Sequence, residues 1–534
     1  MGGIKNRLLF VHLRHVNYFW ESLFTDPEMY KRKLLTDYPE MTNWIKDETF
    51  NLKPIWPDAP VVDYQWESKN QDKTVSGGFI ASNLETPTDI IHGFIHAEEV
   101  INALKKALNE GFPYTHVGFS IYVAAYSKFV ECANAVKNFD ENIITIAGNA
   151  GALFPGTEKY VDYVCKGDGI PFLRKLLGEN ETTPYKLEIV PQNTYFLFQG
   201  IRMPMKVLRL VTKLGCPHSC DFCITHHLYE GKVTNPFFTP QHVHDKIVEY
   251  VKKVNYKDFI IMFCEPQAII NKKWWYDLFE SFNGDTQEYP IIILSTLASI
   301  ADMDLDRISK SALRINFINI GIESFSHPYS KNVNHHTTKE IIGKLADYGI
   351  GTYATFIIGY DHQDRNLIWE EIHKLVDLDI AQIELFNLHP LPETPLWDKY
   401  KSEGRLLDVP NDFYYLPGFQ SFYHPHFRPG FEDILPLMYE IYQYFEKERG
   451  PSILELANLY QNIPNPGQIA KRSTKYYKIG AHSLFESWKK YLDPSPFQIE
   501  NYIRKLGSLP KDPFYMKVLR KSSFLQRIVS TLIR

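Results

Sequence analysis

The sequence predicts an α/β protein in three parts: an N-terminal doubly wound, Rossmann-like domain, a partial (β/α)6 barrel and a C-terminal helical region. Strand-like apolar runs alternate with amphipathic helices in the first third and again in the middle third, as in parallel sheets covered on both faces. After about residue 400 the pattern becomes helical. Because 534 residues are too many for one hydrophobic core, we divide the chain into residues 1–190, 191–205 (a linker), 206–400 and 401–534.

In the first third, strands are predicted at 7–13, 115–123 and 142–149, and helices at 96–111 and 128–139. A further strand, YVDYVCKGDG, and a short helix, PFLRKLLG, complete the alternation. The segment between about 14 and 95 is less regular, and its elements cannot be ordered.

The middle third contains six strand-like runs separated by helical stretches. They are residues 207–215, 258–265, 290–298, 317–324, 353–360 and 381–390. This spacing suits a partial barrel, whose chemistry lies at the carboxyl ends of the strands. Beyond it, residues 431–450 predict a helix with one apolar stripe. The stripe consists of Ile434, Leu435, Met438, Ile441, Tyr442 and Phe445.

The composition excludes several classes of protein. Hydrophobic residues make up 44% and charged residues 23%, an ordinary globular mixture, and the net charge of -5 gives no basic field for nucleic acid. Six cysteines are too few for a secreted disulfide scaffold. The first residues lack a signal peptide's apolar core, and no apolar run is long enough to span a bilayer. We therefore expect a cytoplasmic protein.

Three cysteines fall within one predicted loop, directly after the first strand of the middle third. The order is Leu214-Gly-Cys216-Pro-His-Ser-Cys220-Asp-Phe-Cys223. Three thiolates at this spacing can hold three corners of a cubane [4Fe-4S] cluster and leave the fourth iron without a protein ligand. No second cysteine cluster exists, so auxiliary clusters are not expected.

A structural zinc site is the alternative for this loop. Zinc takes four ligands, and His218, His226 or His227 could supply the fourth. A zinc knuckle does not need the strands that surround this loop, and we therefore favour the cluster.

The CxxxCxxC spacing, with Phe222 before the last cysteine, resembles the signature of the radical S-adenosylmethionine (SAM) superfamily. The resemblance implies that the open iron chelates the amino and carboxylate groups of SAM's methionine. It also implies that one electron from the cluster cleaves SAM to a 5′-deoxyadenosyl radical. The protein then supplies binding, orientation and exclusion of side reactions.

Further motifs in residues 206–400 stand where this family contacts SAM. They are Glu265 for the methionine ammonium, Ser295 near the methionine, Gly321, Glu323 and Ser324 near the ribose and carboxylate, and Ile358 and Gly359 beside adenine. Cys264 replaces a more usual acidic residue, and Glu393 replaces glycine in an element that resembles PxPGTP. Each motif alone could be an ordinary strand end or turn, so the resemblance depends on their order.

The N-terminal third resembles the cobalamin-binding domain that precedes many radical SAM cores. The resemblance places Ser120 near the cofactor's nucleotide tail and puts Gly148 and Asn149 at a usual Gly-Gly pair. The turn at 167–170, Gly-Asp-Gly-Ile, takes the place of a GEGE turn. Glycines at strand ends let a backbone approach a ligand closely.

This domain lacks DxHxxG, the element whose histidine coordinates cobalt. Asp89-Ile-Ile-His92-Gly93 has similar letters at the wrong spacing. Two interpretations stay open: cobalamin bound without a protein imidazole, or a domain that holds no cofactor and serves as a lid.

Two C-terminal segments also have two interpretations each. The aromatic run at 414–427 either packs between the barrel and the C-terminal helices, which we favour, or lines an apolar substrate cavity. Residues 516–534 are basic and amphipathic, and form either a contact with a membrane surface or an ordinary surface helix.

The resemblances imply a radical SAM enzyme, and cobalamin-dependent methylation of an unactivated carbon is the favoured reaction. Radical rearrangement, cyclisation or carbon–carbon bond formation without cobalamin is the first alternative. A non-catalytic metal-binding protein is the second. The implied partners are a small-molecule, lipid or peptide substrate and an electron donor such as flavodoxin or ferredoxin, with no nucleic acid.

Overall fold

A computed structural model gives the strands and helices of most of the chain. The described residues are 6–13, 26–54, 74–93, 95–198, 201–254, 259–326 and 334–449. Their strands form one sheet of five strands and one of seven. The basic segment at 516–534 lies outside the described residues. No helix within them is long and apolar enough to cross a bilayer.

The first sheet is parallel. Its strands are β1 (Leu8–Leu13), β2 (Thr88–Gly93), β3 (His116–Ile121), β4 (Ile144–Gly148) and β5 (Tyr163–Val164). They lie in the order β2-β1-β3-β4-β5. Every residue of β1 and β3 is buried. The order reverses between β1 and β3, and doubly wound sheets bind ligands at such a reversal, outside the carboxyl ends of the strands.

Some helices of the first 190 residues pack on the first sheet, and others pack in the core of the second sheet. They are α1 (Pro27–Asp37), α2 (Asp47–Phe50), α3 (Val75–Ser82), α4 (Ala97–Asn109), α5 (Tyr126–Phe139) and α6 (Gly169–Leu177). Helices α4 and α5 cover one face of the first sheet, and α6 packs on the other. Tyr30, Leu34 and Phe50, from α1 and α2, are instead buried in the core of the second sheet.

The second sheet contains the six predicted barrel strands. They are β7 (Ile201–Leu210), β8 (Ile260–Phe263), β9 (Tyr289–Ser295), β10 (Leu313–Glu323), β11 (Gly351–Ile358) and β12 (Gln382–Asn387). These six are mutually parallel. In the described residues the two outer strands of the sheet do not pair with each other. The sheet is therefore an open, partial barrel, as predicted.

The helices of this part lie between and after the strands. They are α7 (Ile224–Leu228), α8 (Pro240–Val254), α9 (Lys272–Ser281), α10 (Leu297–Ala301), α11 (Leu305–Ile308), α12 (His335–Asp347), α13 (Arg365–Val376), α14 (Pro395–Ser402) and α15 (Ile434–Arg449).

The linker predicted at 191–205 is instead part of a β-hairpin. Strand β6 (Val190–Phe198) runs antiparallel to β7 and forms the edge of the second sheet. Prolines suggested a linker, but Pro191 lies on the edge strand, and Pro204 lies outside the four residues of β7 that pair with β8. Proline is tolerated at such positions because no central ladder is interrupted.

Residues 401–449 are less helical than predicted. Between α14 and α15 the only helix in the described chain is a short 3-10 turn, Asn411–Tyr415. Four prolines between 410 and 429 account for this, since proline interrupts helices. Most of the aromatic run nevertheless packs as favoured, with Tyr414, Phe419 and Phe422 buried. All six residues of the predicted stripe on α15 are buried as well.

Candidate active site

The cysteine loop starts at the carboxyl end of β7 and leads into α7. Cys216, Cys220 and Cys223 are partly exposed, and the six cysteines, all within the described residues, form no disulfide. The N–H of Cys223 donates to the carbonyl oxygen of Cys220 at 3.1 Å. The N–H of Leu396 donates to the carbonyl oxygen of Asp221, also at 3.1 Å, which ties the loop to the segment after β12.

The chemistry of this loop fits an iron–sulfur cluster. Nowhere in the described residues are three His, Cys, Asp or Glu side chains already gathered as a metal site. The loop offers three thiols, and its neighbouring His226 has its Nδ1 3.3 Å from the carbonyl oxygen of Cys216. Three thiolates are the ligands of a cluster with one open iron, whereas structural zinc needs a fourth ligand.

Glu265, at the carboxyl end of β8, has one satisfied and one unsatisfied oxygen. The side chain is fully buried, and Oε1 accepts hydrogen bonds from the N–H and hydroxyl of Thr212 at 2.6 and 2.7 Å. Oε2 has no partner among the described residues. Burial raises the pKa of Glu265, and the bonds from Thr212 and the charge of Lys213 oppose that rise. A buried carboxylate oxygen without a hydrogen-bond partner fits a cation such as the methionine ammonium of SAM.

Lys213 was not predicted as a site residue. It is buried beside Glu265, and its ammonium donates to the carbonyl oxygen of Gln267. Burial lowers its pKa to about 8, while Glu265 and Cys216 favour the charged form. The signal in the sequence is a lysine between the end of a buried strand and the cysteine loop.

Ser295 ends β9 and is 5% exposed. The side-chain amide of Gln267 lies 3.5 Å from its hydroxyl and donates to the hydroxyl of Ser299 at 2.9 Å. The carboxyl ends of β8 and β9 are therefore joined through Gln267.

A buried carboxylate, Glu371 on α13, holds the loop after β10. Its Oε1 accepts the hydroxyl of Ser324 at 2.7 Å and the N–H groups of Phe325 and Ser326 at 2.6 and 2.7 Å. Gly321 and Glu323 precede this loop, and the register between β10 and β11 shifts between them. The predicted residues after β10 are thus fixed by a helix that sequence reasoning did not connect to the site.

Glu371 also reaches the loop after β11. Its Oε2 accepts a hydrogen bond from the amide of Gln363. The amide oxygen of Gln363 accepts the N–H groups of Gly359 and Tyr360 at 2.8 and 3.0 Å. Ile358, which ends β11, is fully buried. One carboxylate therefore fixes both predicted loops.

Phe222 packs against a small cluster at the ends of β11 and β12. Its ring centroid lies 6.2 Å from that of Tyr360, edge to face. Tyr360, Leu388 and Leu396 are buried in the same cluster. The aromatic residue of the cysteine motif thus anchors the loop to the barrel.

Two positions where the resemblance expects glycine have a positive φ. Asn149 has φ 73° and Glu393 has φ 63°. Glycine adopts positive φ without strain, whereas Asn149, with ψ -179°, lies outside the αL region that asparagine commonly adopts. The positive φ is kept at both positions although the glycines are absent.

Several polar side chains lie within hydrogen-bonding distance of one another at the carboxyl edge of the first sheet. Ser120 on β3 and Gly148 on β4 are partners in register. The amide of Asn149 donates to the hydroxyl of Ser120 at 3.3 Å. The Nδ1 of His12, at the end of β1, lies 3.2 Å from the hydroxyl of Ser120 and 3.3 Å from that of Ser76. His12 was missed, although a histidine inside an otherwise apolar strand was the signal.

Gly148 and His92 also lie at the carboxyl ends of strands in the first sheet. A side chain at Gly148 would lie 3.7 Å from the Cβ of Cys165 and so would enter the packing beside β5. His92 is on β2, in register with His12 on β1. Both histidines therefore lie at the carboxyl edge of the sheet.

Three contacts join the first sheet's loops to the barrel. The N–H of Gly167 donates to the carbonyl oxygen of Leu228, at the end of α7, at 2.8 Å. Lys166 forms an ion pair with Glu393 in the segment after β12. Fully enclosed Asp412 accepts hydrogen bonds from the N–H and hydroxyl of Ser127 on α5.

The fold and this loop define an α/β iron–sulfur enzyme with its site at the carboxyl ends of parallel strands. Residues 210–375 match the family described as the Radical SAM superfamily. These residues therefore form a domain similar to that family, and such a domain implies a [4Fe-4S] cluster and SAM as cofactors.

Known proteins resemble the chain over different lengths. Biotin synthase of Sulfurihydrogenibium sp. (strain YO3AOP1) is 25% identical over 189 residues, which cover 35% of this chain and 55% of that protein. The chain thus spans about half the length of this curated relative. TsrM of Kitasatospora setae, a radical SAM methyltransferase solved with cobalamin and a [4Fe-4S] cluster, gives a TM-score of 0.53 at 11% identity. That match covers 90% of this chain and all of TsrM.

A second structure of TsrM holds tryptophan as substrate and a SAM analogue. Its TM-score is 0.52 at 11% identity, over 83% of this chain and 90% of that chain. At this identity the likeness concerns the fold, and it confirms the α/β architecture with a partial barrel.

Proposed function

We propose that this radical SAM enzyme methylates an unactivated carbon of a small molecule with the help of cobalamin. One observation carries the proposal: segments at the carboxyl edge of the first sheet contact the end of the cysteine segment and the segments that follow β12. Gly167, Lys166 and Ser127 make these contacts. TsrM, a methyltransferase solved with cobalamin, has a similar fold over nearly the whole chain.

On the barrel side, Cys216, Cys220 and Cys223 would hold the cluster, and Glu265 would bind the methionine ammonium. With SAM bound, the cluster would supply radical chemistry. The loops fixed by Glu371 would orient the ribose and adenine, and Ser295 would lie near the methionine. An external electron donor such as flavodoxin or ferredoxin would reduce the cluster.

On the side of the first sheet, Ser120, Gly148 and Asn149 would lie around the nucleotide tail of cobalamin. The cofactor would supply a methyl group, taken from a second SAM. Ser120 and Asn149 already form one hydrogen-bonded group with His12. Because the DxHxxG element is absent, no histidine of that motif would hold the cofactor.

Anaerobic purification from cobalamin-fed cells, followed by absorbance and cobalt analysis, tests the proposal. We expect about one cobalt per chain and a bound cobalamin whose spectrum is the same after His92→Ala. Cobalt far below one per chain, in protein with a loaded cluster and active SAM cleavage, would reject the methylase. Radical rearrangement, cyclisation or carbon–carbon bond formation without cobalamin would then be the favoured reaction.

A further inference from the structure

We infer that the substrate binds between Tyr122, Tyr415 and His389, where the first sheet meets the barrel. We further infer that it is a planar, uncharged ring system that presents one hydrogen-bonding atom to His389. This inference rests on the proposed function, because it places the substrate between the two cofactor sites. It adds the class of substrate and three residues that the proposed function leaves unassigned.

His389 supplies the polar contact. It follows β12 by two residues, is 9% exposed, and has a buried Nδ1 without a hydrogen-bond partner among the described residues. Burial lowers its pKa to about 3, so the imidazole is neutral near pH 7. Buried polar atoms are normally hydrogen-bonded, and one left without a partner at a strand's carboxyl end points to a ligand.

Tyr415 forms one wall beside it. The ring centroids of His389 and Tyr415 are 5.3 Å apart, with the planes tilted by 40°. Tyr415 is 42% exposed, whereas Phe413 and Tyr414 of the same 3-10 turn are buried. Burial nevertheless raises the pKa of Tyr415 to about 12, with contributions from Glu384, Tyr122 and Cys223. The partly exposed ring of Tyr415 and the buried imidazole of His389 therefore lie side by side after the carboxyl end of β12.

Tyr122 directly precedes the segment of the first domain that contacts the turn carrying Tyr415. It directly follows β3, is 43% exposed, and sets its ring edge-on to His12 at 5.4 Å. The next residues, Val123–Ala125, pack against the turn that carries Tyr415. The bonds from Ser127 to Asp412 hold these two segments together. The inferred substrate site therefore lies between the proposed cobalamin edge and the turn that carries Tyr415.

The lining sets the class of ligand. Accessible tyrosine rings favour stacked or edge-on contact with another planar ring. A neutral imidazole offers one hydrogen bond and no counter-charge, so an uncharged ring with a single polar atom fits it better than an ion. Glu384 already has a partner in the structure and is not required as a binding group.

Three bicyclic aromatic probes that differ in their hydrogen-bonding capacity test the inference. Indole offers an N–H donor, quinoline a ring-nitrogen acceptor, and 1-methylindole neither. Their dissociation constants would be measured anaerobically by saturation-transfer NMR on the full chain with reconstituted cluster and SAM. We expect indole or quinoline to bind about fivefold more tightly than 1-methylindole, the ratio expected for one hydrogen bond.

His389→Phe should abolish that preference, and Tyr415→Ala should weaken all three probes about fivefold or more. His336→Phe, at a histidine side chain that is 82% exposed on α12, should change nothing. Tyr415→Ala alters an accessible side chain, so the test stands even if His389→Phe fails to fold.

Equal binding of the three probes, no binding to the wild-type chain, or unchanged binding in Tyr415→Ala would each overturn the inference. SAM cleavage without substrate is measured in the same samples. Its absence from the wild-type protein would contradict the proposed function, whereas normal cleavage without probe selectivity would overturn only the substrate assignment.

Discussion

The hydroxyl of Ser324 donates to the carboxylate of Glu371 at 2.7 Å, and neither side chain has exposed surface. Through Gln363 the same carboxylate holds the backbone of Gly359. The loops after β10 and β11 therefore share one buried anion, although they are separated along the chain by α12 and β11. If both loops contact SAM, a change at Glu371 disturbs both contacts at once.

Glu371→Gln is accordingly expected to weaken SAM binding about fivefold or more. The amide replaces one carboxylate oxygen with a donor that faces other donors, and about 2 kcal/mol of folding stability is lost as well. SAM affinity is measured anaerobically, alongside iron content, which should not change. Glu370→Gln is the control, because Glu370 pairs with Lys374 on the surface. Equal SAM affinity in the two variants would show that Glu371 has no role in the site.

Each of Cys216→Ala, Cys220→Ala and Cys223→Ala should abolish reductive cleavage of SAM. Loss of one of three ligands leaves the cluster incompletely held. Reconstituted wild-type protein should contain about four irons and four sulfides per chain. Cys132→Ala, at a buried cysteine of α5, is the control and should cleave SAM normally. Formation of 5′-deoxyadenosine at the wild-type rate in any loop variant would refute the cluster assignment.

Glu265→Ala should cost roughly 1.5–3 kcal/mol of SAM affinity, the range for hydrogen bonds to charged groups. The lost contact is the one that Oε2 is free to make. Thr212→Val provides a graded comparison, because it removes only the hydroxyl that steadies Oε1 and should have a smaller effect. Isothermal titration under anaerobic conditions gives both constants. A SAM dissociation constant unchanged by Glu265→Ala would mean that another carboxylate binds the ammonium.

His12→Phe should weaken binding of hydroxocobalamin about fivefold or more. It keeps a ring at the end of β1 but removes the Nδ1 that lies near the hydroxyls of Ser120 and Ser76. Equilibrium dialysis measures the affinity, and SAM cleavage by the barrel should be retained. His96→Phe, at the beginning of α4 on the same domain, is the matched control. Wild-type affinity in His12→Phe would remove His12 from the proposed cofactor edge.

Asp361 should make stability depend on pH. Burial alone would raise its pKa, but hydrogen bonds from Arg405, Lys399 and Tyr400 outweigh that effect and hold the pKa well below its usual range. A depressed folded-state pKa gives stability that is present above the unfolded pKa of about 4 and is lost as pH falls through the folded value. Asp361→Asn should therefore cost about 1–2 kcal/mol at pH 7, and less than that below pH 4.

Urea unfolding at several pH values measures this difference, with Asp398→Asn, at an exposed carboxylate of α14, as the control. A constant difference between Asp361→Asn and wild type from pH 7 to pH 3 would contradict the assignment.

The barrel strands were predictable because each is an apolar run of strand length between helices. The hairpin of β6 and β7 was not, since prolines look alike in a linker and on an edge strand. Residues 26–54 could not be placed, because their partners, such as Phe413 for Tyr38 and Phe419 for Trp44, lie more than 350 residues away. Contacts of that kind have no local pattern.

The candidate site also has features that the sequence predicts and features that it does not. The cysteine spacing and the order of the strand-end motifs stand in the sequence as written. The role of Glu371 depends on burial, yet it left a trace: with Ile368, Ile372 and Leu375 it lies on the apolar stripe of α13. A carboxylate on such a stripe needs a buried partner. The neutral state of His389 had no such trace, because burial by distant segments sets it.

Asp412 and Ser127 are 285 residues apart along the chain, and α1 is buried against segments that follow the barrel. During synthesis, the first sheet is complete long before Asp412 leaves the ribosome. Until then, Tyr30 and Leu34 have no core to enter, and the N–H of Ser127 is exposed to water. The nascent chain therefore carries the uncovered side chains of Tyr30 and Leu34 through most of translation, and the order of assembly differs from the order of synthesis.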